Sequence, residues 1–196
     1  MKTQKKAFRL SGSVRPHSYD VTLTASPDHD GFHGEVHIAL TIGAPAATIT
    51  LHARDLAVSD AVLTPEGAAP LTGLPVALDT VDQTVTVTLP IAVAGPAALR
   101  LRFAGKLNPS MHGLYLASDG HSRAVCSQCQ ATDARAIFPC FDEPEFKARL
   151  RWTLRAPKTD AIGAPLTVLS NGPLLDTAPH GEHIEHRFGA TRPVSS

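Results

Sequence analysis

Aromatic residues, cysteine and surplus charge are all scarce in this chain. It has one tryptophan and two tyrosines in 196 residues. Lys+Arg and Asp+Glu stand at 18 each, so the formal net charge is zero. Nucleic-acid binders carry a basic excess, and proteins that sit on anionic membranes do the same. Neither partner is expected here. Three cysteines cannot complete a disulfide framework. A reducing, cytoplasmic compartment is the simpler expectation. No apolar run approaches the length of a membrane span. The opening "MKTQKKAFRL" is basic but leads into no apolar stretch, so no signal peptide is read there.

What is present is a core-forming fraction of apolar residues, 43%, which excludes a disordered chain. The length fits one domain, here residues 1–196. The apolar residues alternate with polar ones at period two, the mark of strands with one buried face. "YDVTLT" sets Tyr19, Val21 and Leu23 on one side. "EVHIALTI" does so with Val36, Ile38, Leu40 and Ile42, and "TVTVTL" with Val85, Val87 and Leu89. "ALRLRF" offers Leu99, Leu101 and Phe103, and "RLRWTL" offers Leu150, Trp152 and Leu154. Turn signals separate the runs: "SPDHDG", "TPEGAAPLTG", "AGPA" and "APKTDAIGAP". No stretch of a dozen residues shows a helical stripe. The expected fold is all-β, a β-sandwich or saddle of antiparallel sheets with short turns and at most one or two short helices.

One stretch breaks the pattern. "SQCQATDARAIFPCFDEPEFK", Ser127 to Lys147, is too polar for a core strand and too rich in proline for a long helix. A helical turn is expected at Asp133–Ile137, with Thr132 as N-cap and Pro139 as its stop. Asp142, Glu143 and Pro144 suggest a tight turn before the next strand. Arg135 between Asp133, Asp142 and Glu143 fits a charge-locked connection, and these residues are read as structural. Pro139 and Cys140 are read as shaping the backbone and filling space.

This stretch resembles the signature Q-x-E/Q-x-x-x-x-R-x-x-x-P-C-x-D-x-P of the zinc aminopeptidases related to aminopeptidase N and leukotriene hydrolase. Here it runs through Gln128, Gln130, Arg135, Pro139, Cys140, Asp142 and Pro144. Further stretches resemble that family in the same order: "RLSGSVRPHSYDVTLTAS", "FHGEVHIALTI", "TITLHARDLAVSDA", "KLNPSMHGLYLAS", "LTVLSNGPL" and "HRFGATRPVSS". The resemblance implies the N-terminal β domain of such an enzyme, packed on a catalytic domain of the same polypeptide. It implies zinc in the intact enzyme and a peptide N-terminus as substrate. It places Gln130, and next Gln128, near that N-terminus. Many relatives carry Glu at the position of Gln130; an amide accepts from an ammonium through its oxygen, less strongly than a carboxylate.

The motifs of the chemistry itself are missing. There is no H-E-x-x-H to hold zinc and supply a general base, and no G-x-M-E-N loop. "HGEHIEH" carries His180, His183 and His186 three apart. Read as one strand, it sends them to opposite faces, with Ile184 and Phe188 sharing a side. His33 and His37 are read as surface residues. Cys126 and Cys129 form a lone C-x-x-C without a second pair, read as buried thiols on opposite faces. No catalytic residue and no metal ligand is assigned in this chain. It ends at "TRPVSS", inside an apparent strand, which suggests a boundary at the edge of a catalytic domain. Two other readings stand beside this one. One is a free-standing β-sandwich binding or scaffold module, and the other is an inactive regulator that binds peptides.

Overall fold

The structure, a computed structural model, describes residues 9–196. Eleven strands follow one another: β1 Val14–Thr24, β2 Gly31–His52, β3 Ala57–Pro65, β4 Leu71–Leu74, β5 Val76–Asp79, β6 Thr84–Lys106, β7 Gly113–Ser118, β8 Arg123–Gln128, β9 Arg149–Pro157, β10 Leu174–His180 and β11 His183–Phe188. The larger sheet runs β10-β11-β9-β1-β2-β6-β3-β4, with β5 also on β6; β7 and β8 form a separate hairpin. The all-β expectation holds. One feature departs from it: β1 and β9 are parallel, Ser18 opposite Arg149 through Thr24 opposite Arg155, so the larger sheet is mixed. A parallel pair needs a long crossover, and here residues 25–148 lie between the two strands. Among the described residues no helix is long and apolar enough to cross a membrane.

Two strands are longer than the turn signals suggested. "AGPA" lies inside β6, where Pro96 faces Thr41 and Gly95 faces Ile42. Gly95 has φ +92°, a conformation open to glycine, so the chain turns within the ladder rather than leaving it. Likewise "EVHIALTI" and "TITLH" are one strand, β2. The β2–β6 register shifts at Ile42/Ala46 and again at Ala46/Thr48. Such bulges bend the strands that carry them. In the same way "TPEGAAPLTG" is partly strand, since its last residues begin β4.

Alternation sets the two faces. Val36, Ile38, Leu99 and Leu101 are completely buried, and Tyr19, Val21, Leu40 and Ile42 are nearly so. The opposite face is charged and cross-linked. Arg151 meets Asp20 at 2.9 Å, Arg100 meets Glu35 at 2.9 Å and Arg102 meets Asp60 at 3.1 Å. Exposed pairs of this kind contribute little each. The inner face carries the stability, at roughly 1.5–3 kcal/mol for each fully buried aliphatic side chain.

The end of the chain differs from the expectation. Beyond β11 the backbone leaves the ladder; the Thr191 amide still donates to the Leu150 carbonyl at 2.9 Å, and Val194 forms an isolated bridge to Ala148. The "HGEHIEH" run is not one strand either. Gly181 and Glu182 turn a hairpin, so His180 and His183 face each other across it. Opposed residues in a ladder share a face; only His183 and His186 lie three apart within one strand. Phe188 is buried as expected, but its buried companion is Glu185 rather than Ile184. Arg155 and Arg187 each donate to the Glu185 carboxylate at 2.8 Å.

Close packing on the inner face makes a prediction about two glycines of β2. A Cβ on Gly34 would lie 2.2 Å from the Thr22 carbonyl oxygen and 2.7 Å from the Phe103 ring. At Gly31 the nearest atom would be 3.7 Å away. Gly34→Ala is expected to cost at least about 1–3 kcal/mol by overpacking, while Gly31→Ala stays near neutral. Urea unfolding midpoints of the two variants measure the difference.

Candidate functional site

The stretch from Ser127 to Lys147 forms the layer that covers the inner face of the sheet. Its aromatic residues are among its most buried: Phe138 and Phe146 are 1% and 2% exposed, and Phe141 is fully buried. Phe138 stands edge-on to Tyr19 at 5.7 Å and to Trp152 at 5.4 Å. The Phe141 amide donates to the Tyr19 hydroxyl at 3.1 Å. Cys140, also fully buried, exchanges two backbone hydrogen bonds with His52, at 2.8 and 3.1 Å. The polar residues of the stretch therefore do not set its location; four apolar side chains between them do.

The charged residues lock this layer in place. Arg135 donates through Nε to Asp142 Oδ2 at 2.9 Å and through Nη2 to the Asp142 carbonyl at 3.0 Å. Its own amide reaches the same carboxylate at 3.3 Å. Burial pushes the Asp142 carboxyl up, against the pull of the Arg135 bonds. Glu143 accepts from the Leu10 amide at 2.8 Å and from Arg9 at 3.2 Å. Arg54 donates to Asp133 at 2.6 Å, and His112 lies 3.0 Å from the other oxygen of the same carboxylate. Burial acts upward on Asp133, but the bonds from Arg54 and His112 outweigh it and hold the carboxyl low. The expected helical turn is a 3-10 turn, Ala134–Ala136. Its N-cap is Asp133 rather than Thr132, and the Asp133 side chain makes no capping bond. The carboxylate is committed to Arg54 and His112 instead.

From this locked layer the two glutamines project. Gln128 ends β8 and pairs with Gly113 of β7. Gly113 has φ +63°, and a Cβ there would sit 3.0 Å from the Ala136 Cβ. Glycine thus lets β7 lie directly against the 3-10 turn and fixes the rung that holds Gln128. Next along the chain, the Asp133 amide donates to the Cys129 carbonyl at 2.9 Å, closing a tight loop. Gln130 sits on that loop, and the Gln130–Ala131 peptide is cis. Both glutamine side chains are exposed, and neither amide has a hydrogen-bond partner among the described residues. Each offers one acceptor and two donors to whatever approaches.

The strand geometry that would send Cys126 and Cys129 to opposite faces does not extend to Cys129. β8 ends at Gln128, so Cys129 lies beyond the strand, and both Cys126 and Cys129 border the same groove. They are half-buried, and Cys140 is the buried thiol. Burial, then the nearby Asp142 and Asp133, push the Cys129 thiol up to about 11. A thiol held in that form is a poor nucleophile and a poor metal ligand. Among the described residues no three His, Cys, Asp or Glu side chains gather in a way that could hold a metal ion. Sequence reasoning missed Arg54, His112 and Tyr19 as supports of the glutamine loop. Arg54 and Asp133 are 79 positions apart, and no local spacing joins them.

Buried aromatics, charge-locked connection and projecting amides together define an all-β domain built around one covering segment. Comparison with known proteins agrees. Residues 15–196 match the Peptidase M1 N-terminal domain, and the chain belongs to that family. It is 33% identical over 181 residues to Aminopeptidase M1-B of Oryza sativa subsp. japonica, covering 88% of this chain and 19% of that protein. It is 34% identical over 181 residues to Aminopeptidase M1 of Arabidopsis thaliana, covering 88% and 20%. It is 31% identical over 200 residues to human endoplasmic reticulum aminopeptidase 1, covering 96% and 20%. The chain thus spans about a fifth of the length of these relatives.

Two predictions follow from the locked layer. Arg135→Met leaves the Asp142 carboxylate buried without its partner and is expected to cost about 3–5 kcal/mol in denaturant unfolding. Arg135→Lys should recover little of that, because two separate guanidinium nitrogens are used. The second concerns His52, 1% exposed, with its Nε2 4.0 Å from Glu143. Burial, then the Arg135 charge, hold its imidazole down to about 4, with Glu143 pulling the other way. The unfolded chain binds a proton near 6.5 that the folded one refuses until about 4. The stability that His52 contributes is whole above pH 6.5 and declines as pH falls toward 4. Unfolding free energy followed across that window should slope less in His52→Gln.

Proposed function

We propose that this chain is the N-terminal β domain of a zinc aminopeptidase, and that in the intact enzyme it packs on the catalytic domain and helps bind the N-terminus of a peptide. The supporting observation is the glutamine pair: exposed amides with no partner among the described residues, carried on a loop that a buried ion pair and packed aromatics hold still. Rigid support is what a binding group needs if it is to act without first being ordered. Gln130 takes the α-ammonium or first-residue contact through its amide oxygen, and Gln128 flanks it. The amide NH2 can also donate, which suits a broader range of ligands than a carboxylate does.

The described residues gather no ligand set that fits zinc, and no step of the hydrolysis is assigned to them. Zinc, the activated water and the general base belong to the part of the polypeptide that the relatives carry beyond this fifth of their length. The domain's role is to position the substrate. Three free thiols suit a reducing, cytoplasmic setting. A balanced charge gives no attraction to nucleic acid or an anionic membrane.

The test has two arms. The 196-residue chain, incubated with zinc and an aminoacyl anilide, is expected to release no amine. In the intact enzyme, Gln130→Ala is expected to lower kcat/KM by about tenfold or more, as for one lost hydrogen bond to a charged group. Gln130→Glu should strengthen binding of a free amine through added charge. Turnover by the rigorously purified chain, or a Gln130→Ala enzyme with unchanged kinetics, contradicts the proposal. Peptide affinity in the isolated chain with no longer gene product would instead favour a free-standing binding module.

A further inference from the structure

A groove of about 930 Å³ runs between β8 and residues 164–171. Every β8 residue from Arg123 to Ser127 borders it, and so does every residue from Ala164 to Asn171. Alternate side chains of a strand point to opposite faces. An unbroken run of bordering residues therefore means that a backbone edge, not a face, is turned toward the groove. β8 pairs with β7 alone, so its other edge carries backbone donors and acceptors outside any ladder. On the far wall, residues 167–170 belong to no strand, and their backbone groups make no hydrogen bond among the described residues. The floor is apolar, formed by Leu23, Phe138, Trp152 and Leu154. The rim carries Leu169, 82% exposed.

Two backbone edges with unmet hydrogen bonds, over an apolar floor, fit an added strand better than a compact ligand. The volume is near the top of the roughly 300–1,000 Å³ that ligand pockets span, more than one side chain can fill. The source of such a strand is indicated by two observations. Val194, Ser195 and Ser196 border the groove themselves. The matched relatives extend to about five times this length, since 88% of the chain covers only 19% of the rice protein.

We propose that the groove accepts a β-strand from the rest of the parent polypeptide, paired to the free edge of β8 and to residues 167–170, with its alternate apolar side chains on Trp152 and Leu154. This rests on the reading of the chain as one domain of a longer enzyme. The strand would pack the β7–β8 hairpin, which leads into the glutamine loop, against the Trp152 and Leu154 side of β9, whose edges pair with β1 and β11. It would tie the substrate-facing loop to the domain that performs the chemistry.

The test compares amide hydrogen exchange in the 196-residue chain and in the full polypeptide that its gene encodes. The expected result is that residues 167–170 and the outward amides of β8 exchange at least about tenfold more slowly in the full polypeptide. Amides bonded to β7 should be alike in both. Leu169→Asp, at an exposed position, should leave the unfolding midpoint of the 196-residue chain unchanged and remove the added protection in the full polypeptide. Equal exchange in an enzyme that still cleaves peptides would overturn the strand while leaving the domain reading intact. Protection that appears in the 196-residue chain as its concentration rises assigns the groove to a second copy and also overturns it. A gene that stops at Ser196 would remove both the strand and the domain reading.

Discussion

The buried pair of Arg135 and Asp142 holds the covering layer closed. Asp142 is 2% exposed and Arg135 is 9% exposed, so both charges have lost most of their water. Such a pair is not a large source of stability in itself, because desolvation offsets attraction. Its value is directional. The guanidinium makes bonds to the Asp142 carboxylate and carbonyl at once, and its own amide adds a third. Together these bonds fix the backbone between positions 135 and 142 at both ends. That path puts Phe138, Cys140 and Phe141 on the inner face of the sheet, where the hydrophobic energy is gained.

Support spreads from that pair in two directions. On one side Arg54 bonds Asp133 through its side chain, and its amide donates to the Arg135 carbonyl at 2.9 Å. This couples the end of β2 to the start of the 3-10 turn. On the other side Glu143 takes the Leu10 amide, fastening the segment before β1 across the same layer. Asp133 and Glu143, which make the stretch look like a surface loop, are satisfied by Arg54 and His112 and by Leu10 and Arg9, all distant in the chain, while Asp142 is satisfied within the stretch by Arg135. A stretch so tied moves with the sheet as one body, and the loop bearing Gln130 inherits its rigidity.

Period-two alternation identified the buried face of β1, β2, β6 and the start of β9 residue by residue, because a half-buried sheet leaves no other arrangement for those side chains. The structural role of Arg135, Asp142 and Glu143 was also readable, from opposite charges packed among prolines. What could not be read was where a strand continues. Gly95 and Pro96 signal a turn, yet β6 runs through them because pairing with β2 on both sides outweighs local preference. The parallel register of β9 on β1 was invisible for a similar reason: over a hundred residues separate the partners. The depth of Phe138 and Phe141 was hidden by the charges beside them, whose distant partners Arg54, His112 and Leu10 leave no local trace.

The choice of amide over carboxylate at Gln130 belongs to the same economy of charge. Asp133 already stands three positions away and holds Arg54 and His112. A carboxylate at Gln130 would add a second negative charge to the loop that carries Asp133. Nearby like charges raise one another's pKa and loosen the bonds that each one makes, and Asp133, almost fully buried, is the one that would feel it. A neutral amide avoids that competition. It offers a weaker grip on an ammonium than a carboxylate gives, but it leaves the Arg54–Asp133 bond, and with it the position of the loop, undisturbed. On the proposed reading of Gln130, binding strength and rigidity pull in opposite directions, and an amide favours rigidity.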